Sequence, residues 1–191
     1  MHRHADPERD AAACAAIYAP YVTDGLASFE ELPPDADQMA ARISAASRTH
    51  AWLISERDGE PAGYAYASPH GSRAAYRWSA DVAVYVGTRH RRSGVGRELY
   101  GALLGLLERQ RIEIACAGIT LPNEASVRLH ESFGFEPIGV YPAIGFKRGA
   151  WHDVGWWQLS LQERVASPQP PATLPEVRSS EGWNASLASG L

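Results

Sequence analysis

The segment from Val82 to Arg97 restricts the possible folds more than any other part of the chain. A β-branched stretch at 82–86 runs into a basic loop, and Gly94 and Gly96 then open an amphipathic helix. Glycines let the backbone approach a ligand closely, and the positive end of a helix dipole favours anions. The segment therefore predicts a strand, a phosphate-binding turn and a helix. The alternative is a glycine-containing turn with a solvated basic face.

Two common nucleotide-binding motifs do not fit this segment. The loop is not followed by the Gly-Lys-Ser/Thr of a Walker motif, and the third glycine of the dinucleotide fingerprint is missing. Four arginines lie in or beside the loop and supply positive charge to it: Arg89, Arg91, Arg92 and Arg97.

The rest of the pattern alternates strands and helices. Helices are predicted at 6–18, 35–47, 94–109 and 123–133, where apolar residues recur at helical spacing. Strands are predicted at 51–56, 62–68, 79–86 and 112–119, and near 139–146 and 154–161. Asp58-Gly59 marks a hairpin turn between the first two strands. Two central strands are each followed by a helix and have hairpins on either side, which predicts a mixed α/β sheet.

Composition narrows the class of protein. The net charge is 18 − 22 = −4, which disfavours nucleic acid or a membrane surface as the partner. Cys14 and Cys116 lie in apolar runs without metal-ligand spacing, so we expect two buried thiols and no metal site. No secretion signal or membrane span is evident, and we expect a cytoplasmic protein. We predict one domain at 1–164 and, at 165–191, a Pro/Ser-rich tail with little structure of its own.

Two motifs resemble those of the GCN5-related N-acetyltransferase (GNAT) superfamily. Arg91-Arg92-Ser93-Gly94-Val95-Gly96 matches the family's pyrophosphate loop, Gln/Arg-x-x-Gly-x-Gly/Ala. Residues 121–135 resemble its second element, an Asn followed by a helix that leads to Gly-Phe. Residues 73–78, 84–86, 121–123 and 145–159 are similar to the branch that acetylates the α-amine of phosphinothricin, methionine sulfoximine or methionine sulfone.

The resemblance implies a fold, a cosubstrate and a way of binding it. The fold is a mostly antiparallel central sheet flanked by helices, in which two neighbouring strands splay apart, and acetyl-CoA lies in the gap without a metal. An N–H near Tyr85 would polarise the thioester carbonyl, and relatives suggest a homodimer. The residues implied in cofactor binding are Val84, Tyr85, Val86, Arg91, Arg92, Ser93, Gly94, Val95, Gly96, Arg97, Asn123 and Ser126.

The resemblance also implies two groups that move protons. Asp81 stands where the branch commonly carries a glutamate as general base, and it is one methylene shorter. His130 would protonate the departing thiolate or share the role of base, since an imidazole exchanges protons near neutral pH.

The acceptor residues implied by the same resemblance are Phe29, Arg73, Tyr76 and Val154. Arg73 would clamp the substrate α-carboxylate with its guanidinium. The branch's lysine two residues before this arginine is Gly71 here, which favours a sulfoximine or sulfone over an anionic phosphinate.

Two other functions stay open on the sequence. One is N-acetyl transfer to another amine, such as a protein N-terminus or an aminoglycoside. The other is an acyl-CoA-binding module without catalysis, which the replacement of glutamate by Asp81 keeps possible.

Overall fold

The structure, a computed structural model, describes residues 1–178 together with Trp183 and Leu187. Its strands and helices follow one another along the chain in this order: β1 (His2–His4), α1 (Pro7–Thr23), α2 (Ala36–Ala46), β2 (Trp52–Arg57), β3 (Glu60–Pro69), β4 (Ser79–Val86), α3 (Val95–Arg109), β5 (Ile114–Thr120), α4 (Glu124–Glu131), β6 (Glu136–Lys147), β7 (Ala150–Ser160) and α5 (Leu174–Arg178). Single turns of 3-10 helix occur at Ala74–Tyr76 and Thr88–His90.

The strands form one mixed sheet in the order β1-β2-β3-β4-β5-β7-β6. Each pair of neighbours is antiparallel except β4 and β5, which are parallel. Only three residues of β4, Ser79 to Asp81, pair with β5, although β4 continues to Val86. The two strands therefore separate after Asp81, and the predicted fold class with its splayed pair is confirmed.

The helices cover the two faces of the sheet with separate apolar cores. On one face, α1 and α2 pack on β2 and β3 through residues such as Ile43, Trp52 and Tyr64. On the other face, α3 contributes the fully buried Leu99, Leu103 and Leu107 to the larger core. Alternate residues of each strand therefore serve different layers. The gap between β4 and β5 connects the two faces.

Local sequence explains where the helices begin. Asp6 caps α1 by accepting from the N–H groups of Glu8 and Arg9, and Pro7 occupies the first turn. Asp35 and Gln38 form a capping box at the start of α2. Gly94 precedes α3 with φ of 88°, a left-handed conformation that favours glycine.

Several elements differ from the sequence expectations. Strand β1 was not predicted; it pairs with β2, and its Arg3 forms ion pairs with Asp10 and Glu56. Helix α1 runs to Thr23 rather than stopping near Tyr18, and β6 is longer than expected.

The described part of the tail lies against the domain. The backbone carbonyl of Gln110 accepts from the backbone N–H of Ala172, and the side-chain amide of Gln110 donates to the backbone carbonyl of Ala172. Leu174 and Trp183 are buried in the larger core, and the ring of Trp183 stacks on His4. These residues of the predicted tail pack on the domain, and the rest of 179–191 lies outside the described residues.

Candidate active site

The backbone of β4 offers hydrogen-bonding groups to the gap. In the antiparallel pair with β3, Gly87 donates to Ala62 and His70 donates to Ser79. Because hydrogen-bonded and non-hydrogen-bonded positions alternate along such a pair, Tyr85 faces β3, whereas Val84 and Val86 face away from it. Val84 and Val86 therefore present their N–H and C=O groups on the side of the gap, and the N–H donor predicted near Tyr85 would come from one of these neighbours.

One of these two positions already has a partner. The hydroxyl of Tyr21 donates to the carbonyl of Val86 at 2.7 Å and accepts from its N–H at 3.2 Å. No sequence motif marks Tyr21 as a site residue. Its ring packs edge-on against Tyr85 and lies under the guanidinium of Arg91, whose Cζ is 4.9 Å from the ring centre. Tyr21 therefore connects the gap with the basic loop.

The basic loop has the geometry of an anion cradle. Arg92 and Gly94 both have positive φ, which turns the chain sharply before α3. Within the described part of the chain, the backbone N–H groups of residues 92–97 have no hydrogen-bond partner. Ser93 donates its hydroxyl to the carbonyl of His90, which closes the turn. Unpaired N–H groups at a helix N-terminus beside arginines are what a pyrophosphate requires.

The second predicted cofactor element is a capped helix. The side chain of Asn123 accepts from the N–H of Ser126 and so caps α4. A pantetheine contact would therefore use the amide NH₂ of Asn123 rather than its oxygen.

His130 is buried in the core, and both of its ring nitrogens have partners. Nδ1 lies 2.7 Å from the carbonyl of Ser126, which can only accept, so this nitrogen carries the proton. Nε2 then accepts from the hydroxyl of Tyr100 at 2.7 Å. Burial lowers the pKa of His130, against the opposing effect of the Ser126 carbonyl. These contacts favour a neutral imidazole that organises the helix, and they disfavour the predicted delivery of a proton to a thiolate.

Asp81 lies where β4 and β5 separate, and it has two polar neighbours. Its Oδ1 is 2.6 Å from Nδ1 of His70, and Cys116 is its partner in the parallel register with β5. Each of these three side chains offers one atom that could ligate a metal, and these atoms all lie within 4.8 Å of one another. Burial raises the pKa of Asp81, against the opposing hydrogen bond from His70. Burial also raises the pKa of Cys116 to about 11, so the thiol stays neutral at physiological pH.

Aromatic side chains surround His70 beside Asp81, and we call the space among them the chamber. The ring of His70 packs edge-on against Tyr76 and Trp156, with centroids 5.9 and 5.8 Å apart. The indole N–H of Trp156 is buried and has no partner among the described residues. Among the predicted acceptor residues, Tyr76 contacts the ring of His70, which in turn is hydrogen-bonded to Asp81. Sequence reasoning missed both His70 and Trp156.

Val154 lies on β7, the strand that carries Trp156, and Phe29 packs against the β6–β7 hairpin. Val154 is two residues before Trp156 on β7, so the two side chains share a face. Phe29 packs near His152, which is on the same face, and rests against Gly145, where an added Cβ would lie 2.1 Å from the ring. Arg73 is exposed, and its guanidinium has no hydrogen bond or ion pair with any residue that the structure describes.

The loop that carries Phe29 is held by a buried lysine. Nζ of Lys147 donates to the carbonyls of Val22, Ser28 and Glu30 at 2.7 to 2.8 Å. Lys147 is the last residue of β6, a strand whose other residues are mostly exposed, and no spacing in the sequence indicates its role.

A cleft of about 490 Å³ adjoins the chamber between α2 and the sheet. Its walls include Trp52, Tyr64 and Tyr66, with Arg42 and Arg48 at its border. Ser68 also lines the cleft and is the register partner of Asp81. The cleft is thus one strand away from the carboxylate and does not contain it.

Comparisons with known proteins identify the family. The model of the acetyltransferase (GNAT) family matches residues 14–135. The chain belongs to this family. As a member of it, the protein is an N-acetyltransferase that uses acetyl-CoA as its acetyl donor.

Relatives cover nearly the whole chain. The phosphinothricin N-acetyltransferase of Streptomyces viridochromogenes is 38% identical over 168 residues, which are 88% of this chain and 91% of that protein. The L-methionine sulfoximine/L-methionine sulfone acetyltransferase of Salmonella typhimurium is 34% identical over 165 residues, which are 86% of this chain and 96% of that protein.

Solved structures give the same result for the fold. A GNAT superfamily phosphinothricin acetyltransferase from Sinorhizobium meliloti, in complex with AcCoA, superposes with a TM-score of 0.85 at 31% identity. The match covers 92% of this chain and 96% of that one.

Among the described residues, no helix combines the length and the apolar character needed to cross a membrane.

Proposed function

We propose that this acetyltransferase transfers the acetyl group of acetyl-CoA to the α-amine of a small amino acid of the methionine sulfoximine or methionine sulfone type. The observation that carries the proposal is Asp81, a partly buried carboxylate where the splayed strands separate, beside a small aromatic chamber. Relatives named for phosphinothricin and for methionine sulfoximine and sulfone support the same substrate class.

The chain's own groups suffice for direct transfer. An amine attacks the thioester only after losing its proton, because an ammonium has no lone pair. A carboxylate system at Asp81 accepts that proton. The N–H group of Val84 stabilises the oxyanion that forms, since it is fixed in position before the reaction. The free N–H groups of 92–97 bind the pyrophosphate and align the thioester with the amine.

The charges beside the chamber argue against an aminoglycoside. Tyr76 and Trp156 flank His70 there, and Asp81 is the acidic group that we find in contact with it. An aminoglycoside carries several amines and favours a site with several carboxylates. A small zwitterionic substrate instead needs one cation, for which the unpaired Arg73 is suited.

The substrate proposal predicts a preference. Methionine sulfoximine and methionine sulfone should be acetylated with higher kcat/KM than phosphinothricin, because Gly71 leaves no lysine to meet the phosphinate. A charge-assisted contact contributes roughly 1.5–3 kcal/mol, or about ten- to a hundredfold in kcat/KM. Release of the free thiol from acetyl-CoA with each amino acid measures this ratio.

Two variants test the contacts behind this preference. Gly71→Lys should shift the ratio toward phosphinothricin; its Cβ would lie 3.0 Å from the ring of Tyr76, which must move slightly. Arg73→Ala should depress activity on all three substrates by raising KM. Preference of the parent for phosphinothricin, or indifference to Arg73→Ala, would contradict the proposed acceptor site.

We further propose a homodimer in the cytoplasm. Support for the dimer comes from β6 and β7, which expose a set of large apolar side chains: Ile138, Val140, Tyr141, Ile144, Phe146 and Trp151. Tyr141 also packs near Trp156, so a second copy seated here would help to close the chamber. Light scattering of the parent and of Ile144→Glu measures the oligomeric state, and a monomeric parent contradicts the dimer.

A further inference from the structure

The contact between His70 and Asp81 bears on which atom accepts the proton of the amine. Asp81 is one methylene shorter than the glutamate that the branch resemblance implies, so its carboxylate reaches less far into the chamber. Its Oδ1 is also committed to Nδ1 of His70 at 2.6 Å. His70 extends from the end of β3 over the same face, and its ring lies between Tyr76 and Trp156.

The hydrogen bond determines which nitrogen of His70 is basic. An ionised carboxylate can only accept, so Nδ1 carries the proton and donates it to Asp81. Nε2 then has a free lone pair, and no residue in the described part of the chain bonds to it. The side chain is 31% exposed, so a substrate amine can reach this nitrogen. A carboxylate that orients an imidazole in this way also stabilises the imidazolium that forms on proton transfer.

From this arrangement we propose that His70 is the catalytic base of the reaction, with Asp81 as the residue that positions it and balances its charge. The proposal rests on the proposed function and changes the assignment of the base within it. The carboxylate of Asp81 is too short to take the place of the glutamate, and the imidazole of His70 extends to the substrate amine instead.

The proton and electron balance of the step is as follows. Nε2 of His70 takes one proton from the substrate ammonium and later releases it to solvent. The freed lone pair forms the C–N bond to the thioester carbon, and collapse of the tetrahedral adduct breaks the C–S bond. The second proton leaves the nitrogen and goes to the thiolate sulfur. The products are the N-acetyl amino acid and CoA with a free thiol.

The groups that face His70 come from four elements. Asp81 on β4 carries the negative charge, Cys116 on β5 is a neutral thiol, and Tyr76 in the short 3-10 helix faces the ring. Trp156 on β7 completes the surroundings. Among the described residues, Asp81 is therefore the charged group in contact with His70, and it balances the imidazolium that forms on proton transfer.

Two variants of His70 separate a base from a structural partner. His70→Asn places an amide where Nδ1 stands, so it keeps a hydrogen bond to Asp81 but has no Nε2. His70→Phe keeps the packing against Tyr76 and Trp156 but has no nitrogen. We expect both to lose at least about thirtyfold in kcat and to lose the acidic limb of the pH profile. Acetyl-CoA affinity and Tm should stay near the parent values.

A double variant tests the argument about reach. His70→Phe combined with Asp81→Glu restores the longer carboxylate, and we expect it to recover activity relative to His70→Phe alone. Near-parental kcat in His70→Asn would overturn the proposal, because Asp81 would then be the base and His70 its support. All assays are run with and without EDTA, and loss of activity in EDTA would also overturn it by indicating a metal at His70, Asp81 and Cys116.

The two proposals fail in different ways. A parent enzyme that acetylates none of the three amino acids removes the proposed substrate class. A parent enzyme that acetylates them, with His70 variants unchanged, removes only the catalytic role of His70.

Discussion

At the scale of single residues, the glycines around the basic loop have distinct roles. Gly94 has φ of 88°, so any L side chain there is strained, whereas Gly105 in the middle of α3 has open space around its Cβ position. We expect Gly94→Val to turn the free N–H groups of the loop away from the pyrophosphate. The KM for acetyl-CoA should rise about ten- to a hundredfold, the effect of one lost charge-assisted contact.

Gly105→Ala is the matched control on the same helix. It should stabilise the protein by roughly 0.5–1 kcal/mol, because alanine favours helix, and should leave the KM for acetyl-CoA unchanged. Steady-state kinetics and denaturant unfolding measure both effects. Equal acetyl-CoA affinity in Gly94→Val and the parent would remove the loop from the cofactor site.

His130 provides a second prediction at this scale. Because both ring nitrogens are bonded within the core, His130→Ala should lower the free energy of unfolding by about 2–4 kcal/mol through lost bonds and a cavity. Its kcat, measured well below Tm, should change by less than about fivefold. Tyr100→Phe removes only the hydroxyl that donates to Nε2 and should cost about 1 kcal/mol. A hundredfold loss of kcat in a stable His130→Ala protein would instead assign His130 the proton-donor role.

At the scale of elements, the β6–β7 hairpin supports the acceptor loop from a distance along the chain. Lys147 bonds two carbonyls of the loop that carries Phe29 and a third at the end of α1, and Gly145 lets Phe29 pack on the strand. We expect Lys147→Met to release Phe29 and to raise the KM for the amino acid about tenfold, while the KM for acetyl-CoA changes little.

Arg148→Met is the comparison variant for this element. Arg148 is exposed and bonds one carbonyl of the same region, that of Thr23. Its loss should change the amino-acid KM by no more than about twofold. A parallel rise of both KM values in Lys147→Met would show general unfolding rather than release of the loop.

At the scale of the whole molecule, two histidines should make the stability of the protein depend on pH, and one of them contacts the tail. Burial lowers the pKa of His4 and of His50 to about 4. Nε2 of His4 accepts from the indole N–H of Trp183, a bond that a protonated ring cannot accept. Since the folded pKa lies below the unfolded value of about 6.5, the unfolded state binds the proton first. Stability should be full above pH about 6.5 and fall progressively toward pH about 4.

Thermal unfolding at several pH values tests this coupling. We expect a loss of about 1–3 kcal/mol per histidine between these limits, and a shallower slope in His4→Gln and in Trp183→Ala. Trp183→Ala should also cost about 3–5 kcal/mol at neutral pH, because the indole is buried. An unchanged slope in both variants would contradict the coupling of His4 to Trp183.

The fold, and the turn that we propose as the pyrophosphate site, could be predicted from the sequence because their signals are local. The strand, the glycines and the helix at 82–109 are contiguous, and the Asp6 and Asp35 caps act within one turn. Such patterns carry the physical cause of the structure within a few residues of sequence.

The proposed acceptor site depends on contacts between distant segments, which only the tertiary structure shows. Register brings His70 to Asp81 across eleven residues, and the β6 strand carries Lys147 to carbonyls more than a hundred residues earlier. Strand pairing directs the backbone groups of Tyr85 toward β3. In the core, both ring nitrogens of His130 have hydrogen-bond partners, Tyr100 and Ser126. A side chain's chemistry is set by its neighbours in space, and for these residues the neighbours are chosen by the packing of the sheet.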